Sequence, residues 1–209
     1  MNKHKYPNLH TDREWIVRQL NKSESKTFTS KIGDHDLNPG TRSTGPYIPA
    51  AVLIPLILHV SETTVLLTRR TENLTSHPGQ ISFPGGQMEN TDGTPEETAL
   101  RETEEEIGLH RSYVDIIGRL SDYETRTGYR VTPFVALVDP PIYLKKNLNE
   151  VAEFFEVPLS FLLDPINHQR HSQIQEGAKR NFYAIPYKQY YIWGATAGIL
   201  VNFYEVLKS

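Results

Sequence analysis

An α/β fold is predicted for this 209-residue chain, and three observations predict it. Two runs rich in apolar and β-branched residues, Ala50–Val60 and Thr64–Arg70, flank the polar triplet Ser61-Glu62-Thr63, which is the pattern of a hairpin. A helix with readable ends follows, from the cap Thr94 to Gly108. Further strand-like runs and a terminal amphipathic helix come after it, so strands and helices alternate as in mixed α/β domains.

The elements follow in order. Thr11–Asn21 is predicted helical, with Thr11 and Glu14 as a capping box and Trp15, Ile16 and Leu20 as the apolar positions. Residues 22–49 are rich in Ser, Thr, Lys, Pro and Gly and are expected as a linker or surface loop. The chain therefore divides into an N-terminal helix and extension (1–48) and a main domain (49–209). After the hairpin, Arg69 and Arg70 end the second strand. Adjacent strand residues face opposite sides, so one of them at most points into a given site. His77 sits in a Ser-His-Pro-Gly turn, and Ile81–Phe83 is a short strand leading into Gly85-Gly86. Past the central helix, Val114–Leu120 and Arg130–Val138 are strands. The segment between them offers Tyr123, Arg126 and Tyr129, types that hold nucleotides by stacking and charge. Phe161–Asp164 is a short helical turn and Asn181–Pro186 a strand. Ile192–Leu200 opens a final helix with Ile199, Phe203 and Leu207 at i, i+4, i+8 and with Trp193 expected in the core.

The stretch Gly85–Leu109 carries the chemistry. It holds eight acidic residues and one Arg, a net −7 against −3 for the whole chain, so the remainder sums to about +4. Within it Thr94 is the N-cap, Pro95 takes the first helical position, Glu97 is placed to close a capping box and Gly108 ends the helix. Ala99, Leu100, Thr103 and Ile107 form the apolar stripe. Glu102, Glu105 and Glu106 share an arc of roughly 100°, and Glu104 points elsewhere. Like charges so placed repel one another and weaken the helix. A solvated acidic face is the ordinary explanation of such a run. Here the paired glycines precede it and Arg101 sits inside it. Hard divalent cations take carboxylates together with substrate phosphate, so a metal platform for phosphate chemistry is the sharper expectation.

Composition narrows the classes. Hydrophobic residues make up 38% and charged residues 22%, as in globular chains. There is no Cys, which removes disulfides, thiol nucleophiles and thiolate metal sites. The longest apolar run, Ala51–Val60, is short and interrupted by Pro55, so no membrane span is expected. MNKHKYPNLH lacks the apolar segment of a signal peptide, and a cytoplasmic location is expected. The mildly acidic balance gives no support for nucleic-acid binding. A homodimer stays open.

The run Arg101-Glu102-Thr103-Glu104-Glu105-Glu106-Ile107-Gly108-Leu109 resembles the second half of the Nudix box, G-x5-E-x7-R-E-U-x-E-E-x-G-U, with U bulky and apolar. In the first half, Asp92 stands where the pattern has Glu, and its spacing to Arg101 is one residue longer. That departure resembles the coenzyme A pyrophosphatase branch, as does the upstream run Leu66-Leu67-Thr68-Arg69-Arg70-Thr71 through Phe83-Pro84-Gly85-Gly86, similar to LLT-x-R-S-x-x-L-x-x-H-x-G-x-x-x-FPGG.

The resemblance implies a Nudix α/β/α sandwich with a mixed sheet, the box forming loop, helix and loop. It implies hydrolysis of a nucleoside diphosphate linked to another moiety, with Mg²⁺ or Mn²⁺ as cofactor. In the coenzyme A branch the substrate is coenzyme A or a derivative, cut to 3′,5′-ADP and 4′-phosphopantetheine. Glu102 and Glu106 would be direct metal ligands and Glu105 a ligand or water-mediated partner, while Arg101 would orient a carboxylate. Glu150, at the start of EVAEFFEVPL, would add a further acid as ligand or base, in preference to Glu153 and Glu156. Arg69, His77, Gly85, Gly86 and Arg126 would lie on the substrate side. ADP-ribose or NADH as substrate, or a non-catalytic Nudix-like binding module, are the competing readings.

Overall fold

The computed structural model describes residues 13–27, 32–74, 77–175 and 177–208. The chain opens with helix α1 (Arg13–Thr27), strand β1 (Ile32–Gly33) and the one-turn helix α2 (Asp34–Leu37). Strands β2 (Ile48–Leu58), β3 (Thr63–Arg70), β4 (Ile81–Ser82) and β5 (Gly85–Gln87) lead to helix α3 (Pro95–Ile107). Strands β6 (Asp115–Arg119), β7 (Tyr123–Glu124), β8 (Tyr129–Val138) and β9 (Val151–Pro158) then run into the short helix α4 (Leu159–Leu162). Strands β10 (Gln169–Gln175), β11 (Ala178–Tyr187) and β12 (Tyr190–Trp193) precede the last helix, α5 (Gly194–Lys208).

Strands β1 to β9 form one mixed sheet and β10 to β12 a small antiparallel one. The spine of the large sheet is the parallel pair β2 and β8, in register from Ile48↔Tyr129 to Ile57↔Val138. Both strands are buried on two faces, which explains their nearly continuous apolar sequences. Toward one face, Ala51, Leu53, Phe134 and Ala136 pack on Ala99 of α3. Toward the other, Ile54, Leu56, Val135 and Leu137 meet Ile199, Leu200 and Phe203 of α5, Ile16 and Leu20 of α1, and Ile185 and Ile192 of the small sheet. Helix, sheet, and helices with the small sheet make the α/β/α sandwich that was expected. The α5 positions Ile199, Phe203 and Leu207 are all buried.

Several elements differ from expectation. Thr11, half of the expected capping box, lies outside the described residues. Helix α1 runs six residues past Asn21. The stretch expected as a linker also carries β1, which pairs in parallel with β7, and α2. The Tyr123 hydroxyl donates to the Asp34 carboxylate (2.8 Å), and Asn38 exchanges two hydrogen bonds with the Asn181 backbone (2.8 and 2.9 Å). These partners lie far along the chain, so composition alone could not reveal them. Tyr123, expected beside a nucleotide, is instead buried against Gly198, where an added Cβ would run into its ring. Tyr129 likewise packs on the main core. Strands β10 and β12 escaped the sequence patterns. Trp193 ends β12, half-buried, with its ring edge-on to Phe182 at 5.4 Å. The expected turn at Phe161–Asp164 falls two residues earlier, as α4 (Leu159–Leu162).

Candidate active site

The site is built where β5 passes under α3. The Thr94 hydroxyl accepts from the Glu97 amide (3.2 Å) and starts the helix, and Gly108, in the left-handed region (φ 67), ends it. The capping box is not closed as expected. The Glu97 carboxylate accepts from the Gly93 amide (2.7 Å), one residue before the cap. Gly85 (φ 146) has a backbone that disfavours side chains, and a Cβ there would strike the Ala51 carbonyl oxygen. A Cβ on Gly86 would lie 2.5 to 2.7 Å from the Glu102 carboxyl atoms. The glycine pair thus lets the helix carboxylates rest directly on the β5 backbone.

Arg101 organises the cluster. Its Nε and Nη2 donate to the two oxygens of Asp92 (both 2.9 Å), and its Nη1 donates to Glu102 (2.9 Å) and Glu105 (3.1 Å). Asp92 also accepts from the Glu89 amide and the Thr98 hydroxyl. The Arg101 guanidinium, followed by these donors, holds its carboxyl well below the usual range. Asp92 therefore braces Arg101, and Arg101 braces the acids.

Glu106 is the buried member, 3% exposed. One oxygen accepts from the Gly85 amide at 3.3 Å and the other lies 3.9 Å from Arg70 Nη1. Burial pushes its carboxyl up to about 8, against the pull of Gly85 and Arg70 and with a further push from Glu102 and Glu150. Burial also raises Glu102, opposed mainly by Arg101. Glu105 is more exposed. Glu104 points away and pairs with Arg111 (2.7 Å).

Of the three later acids, the chain brings Glu150 to this place. Its carbonyl accepts from the Thr71 amide (2.9 Å), its side chain accepts from Asn147 Nδ2 (3.3 Å), and its charge acts on both Glu102 and Glu106. Glu153 faces the other side of the sheet, paired with Arg69 (2.7 Å) and Tyr190 (3.3 Å). Glu156 bonds to His59 and Thr64. The same alternation turns Arg69, expected on the substrate side, away from the carboxylates and brings Arg70, the fixed Arg of the LLT-x-R pattern, to Glu106. His77 is exposed, with φ 55, in the loop after β3, and its carbonyl accepts from the Gln80 amide. Arg126 is exposed on the β7–β8 turn, and its amide donates to Asp34 (2.8 Å).

Among the described residues no three carboxylates or imidazoles already close into a metal cage. The donor chemistry nonetheless suits a hard divalent cation. Glu102, Glu105, Glu106 and Glu150 offer oxygen ligands, and Glu106 is a buried carboxylate held only by one long amide bond and one distant guanidinium.

The NUDIX domain family matches residues 48–175. The chain is 42% identical over 151 residues to an uncharacterized Nudix hydrolase NudL of Photorhabdus laumondii, covering 72% of this chain and 80% of that protein. It is 38% identical over 173 residues to the uncharacterized Nudix hydrolase NudL of Yersinia enterocolitica, covering 83% and 88%. Among solved structures, the MutT protein from Methanosarcina mazei Go1 aligns with TM-score 0.46 and 26% identity over 58% of this chain and 83% of that one. No helix among the described residues is long and apolar enough to cross a membrane. With the family match spanning most of the chain and the box acids gathered around Arg101 on α3, this chain belongs to the Nudix hydrolase family.

Proposed function

We propose that this Nudix hydrolase, acting on a nucleoside diphosphate derivative with a divalent ion, takes coenzyme A or a derivative and releases 3′,5′-ADP and 4′-phosphopantetheine. The observation that carries the substrate is the contiguous run Leu66–Gly86. It resembles the signature of the coenzyme A branch, with Thr71 in place of Ser, and its β3 and β5 segments contact the carboxylate site. The Thr71 amide bonds the Glu150 carbonyl, and the Gly85 amide bonds Glu106.

A divalent ion in this site, Mg²⁺ or Mn²⁺, would supply positive charge toward the phosphate and lower the pKa of a water there. Glu102, Glu106 and Glu150 would hold the ions, with Glu105 at the exposed margin. Arg101 keeps Glu102 and Glu105 pointed at the same place while Asp92 fixes Arg101. Glu150 takes the proton of the attacking water. The water oxygen bonds to phosphorus, and the bridging P–O bond breaks toward the leaving phosphate.

The test is product analysis by mass spectrometry over coenzyme A, ADP-ribose and NADH, with Mg²⁺, with Mn²⁺ and with EDTA. Coenzyme A should give the two named products with the highest kcat/KM, and EDTA should abolish turnover. Equal or better use of ADP-ribose would refute the coenzyme A assignment. No turnover of any substrate with metal present would favour a binding module.

A further inference from the structure

We propose that Arg70 binds the diphosphate of the substrate, and that its long contact with Glu106 is the resting position from which it does so. The inference rests on this site being a diphosphate hydrolase, and not on coenzyme A being the substrate.

Two arginines contact the acids of the site. Arg101 has spent its donors on Asp92, Glu102, Glu105 and the Gln87 carbonyl. Arg70 has not. Its Nη1 stands 3.9 Å from Glu106, within ion-pair reach but beyond a hydrogen bond. Its Nε is buried and has no hydrogen-bond partner. A guanidinium presents its donors as a rigid fork that matches two phosphate oxygens at once. Here that fork lies at the edge of the carboxylate cluster, with its side chain 26% exposed.

The backbone explains why Arg70 is so placed. The ladder between β3 and β9 slips at this point: Arg69 pairs with Glu153 and Arg70 with Val151, leaving Ala152 as an extra residue. Arg69 is fastened to Glu153 on the far face. The Arg70 amide donates to the Gln80 carbonyl (2.9 Å), which fixes the base of its side chain. The carboxylates of α3 repel a diphosphate, and Arg70 supplies a fixed positive charge with open donors beside them.

The test uses the full chain with saturating Mg²⁺ and α,β-methylene-ADP, a non-hydrolysable diphosphate, followed by calorimetry. Arg70→Ala should weaken its Kd about tenfold or more, and KM should rise more than kcat falls. Arg70→Lys should recover part of the affinity, because it restores charge but not the fork. Wild-type affinity in Arg70→Ala, even with depressed kcat, would overturn the proposal and leave Arg70 as a positioning residue for Glu106. Loss of affinity in Arg69→Ala with none in Arg70→Ala would also overturn it. If Arg70→Ala does not fold by circular dichroism, Arg70→Gln should bind more weakly than Arg70→Lys, and equal binding refutes the proposal. The analogue carries no pantetheine, so failure of the coenzyme A preference would show in the substrate panel and leave this result untouched.

Discussion

Replacing Glu106 by Gln separates the stability role of this residue from its chemical one. In metal-free buffer burial lifts the folded carboxyl from 4.5 to about 8, so the folded chain holds a proton that the unfolded chain has released. Between those values the folded state binds more protons, and stability therefore falls as pH rises. A displacement of this size costs at most about 5 kcal/mol, with a limiting slope of about 1.4 kcal/mol per pH unit. Gln has the same shape and cannot ionise. In EDTA, urea unfolding should give wild type and Glu106→Gln similar stabilities at pH 5, with the variant ahead by several kcal/mol at pH 8.5. With Mg²⁺ added the order of merit reverses, and the variant should lose at least ~10²-fold in kcat. Parallel stability profiles from pH 5 to 8.5 would refute the burial argument. Near-normal kcat would remove Glu106 from the ligands.

Five other substitutions probe the surrounding frame. Glu150→Gln should depress kcat strongly and remove the acidic limb of the pH–rate profile, and Glu153→Gln, on the opposite face, should not; the reverse outcome would move the base three residues along. Gly86→Ala should displace the Glu102 carboxylate and cut kcat while changing Tm little, because the obstructing atoms end a flexible side chain. Gly85→Ala should lower Tm markedly, because there the obstruction is backbone. Asp92→Ala should lower stability by about 1–3 kcal/mol in urea unfolding, since it takes from Arg101 Nε its partner and leaves the guanidinium only Glu102, Glu105 and the Gln87 carbonyl, and an unchanged midpoint would count against the bracing role.

The central helix was legible because its signals are local. Thr94, Pro95 and Gly108 act within one turn of themselves, and the carboxylate arc follows from 100° per residue. Strands β2 and β3 were legible for the same reason. Strand parity could not choose between Arg69 and Arg70, because it says only that the two differ, and the one sequence signal favouring Arg70 is the fixed Arg of the LLT-x-R pattern. Which one faces α3 depends on the pairing with β9, including its slip at Ala152. Glu150 could be preferred over Glu153 on position, but only the packing of β9 between two faces separates them. Residues 32–38 gave no signal, since what orders them is Tyr123 and Asn181, 89 and 143 residues away in their respective hydrogen bonds.

The boundary of recognisable kinship is not the boundary of the folding unit. The family match ends at residue 175 and starts at 48, yet α1, α5 and most of the small sheet lie outside it. A chain cut to those limits would uncover the sheet face that Ile16, Leu20, Ile199, Leu200 and Phe203 now cover, and would strip Asp34 from the Tyr123 hydroxyl. Wide apolar exposure of that kind drives aggregation. The flanking segments pack into the same core as the matched region, so insertions or fusions should be better tolerated at the exposed Ser61-Glu62 turn than at residues 48 or 175.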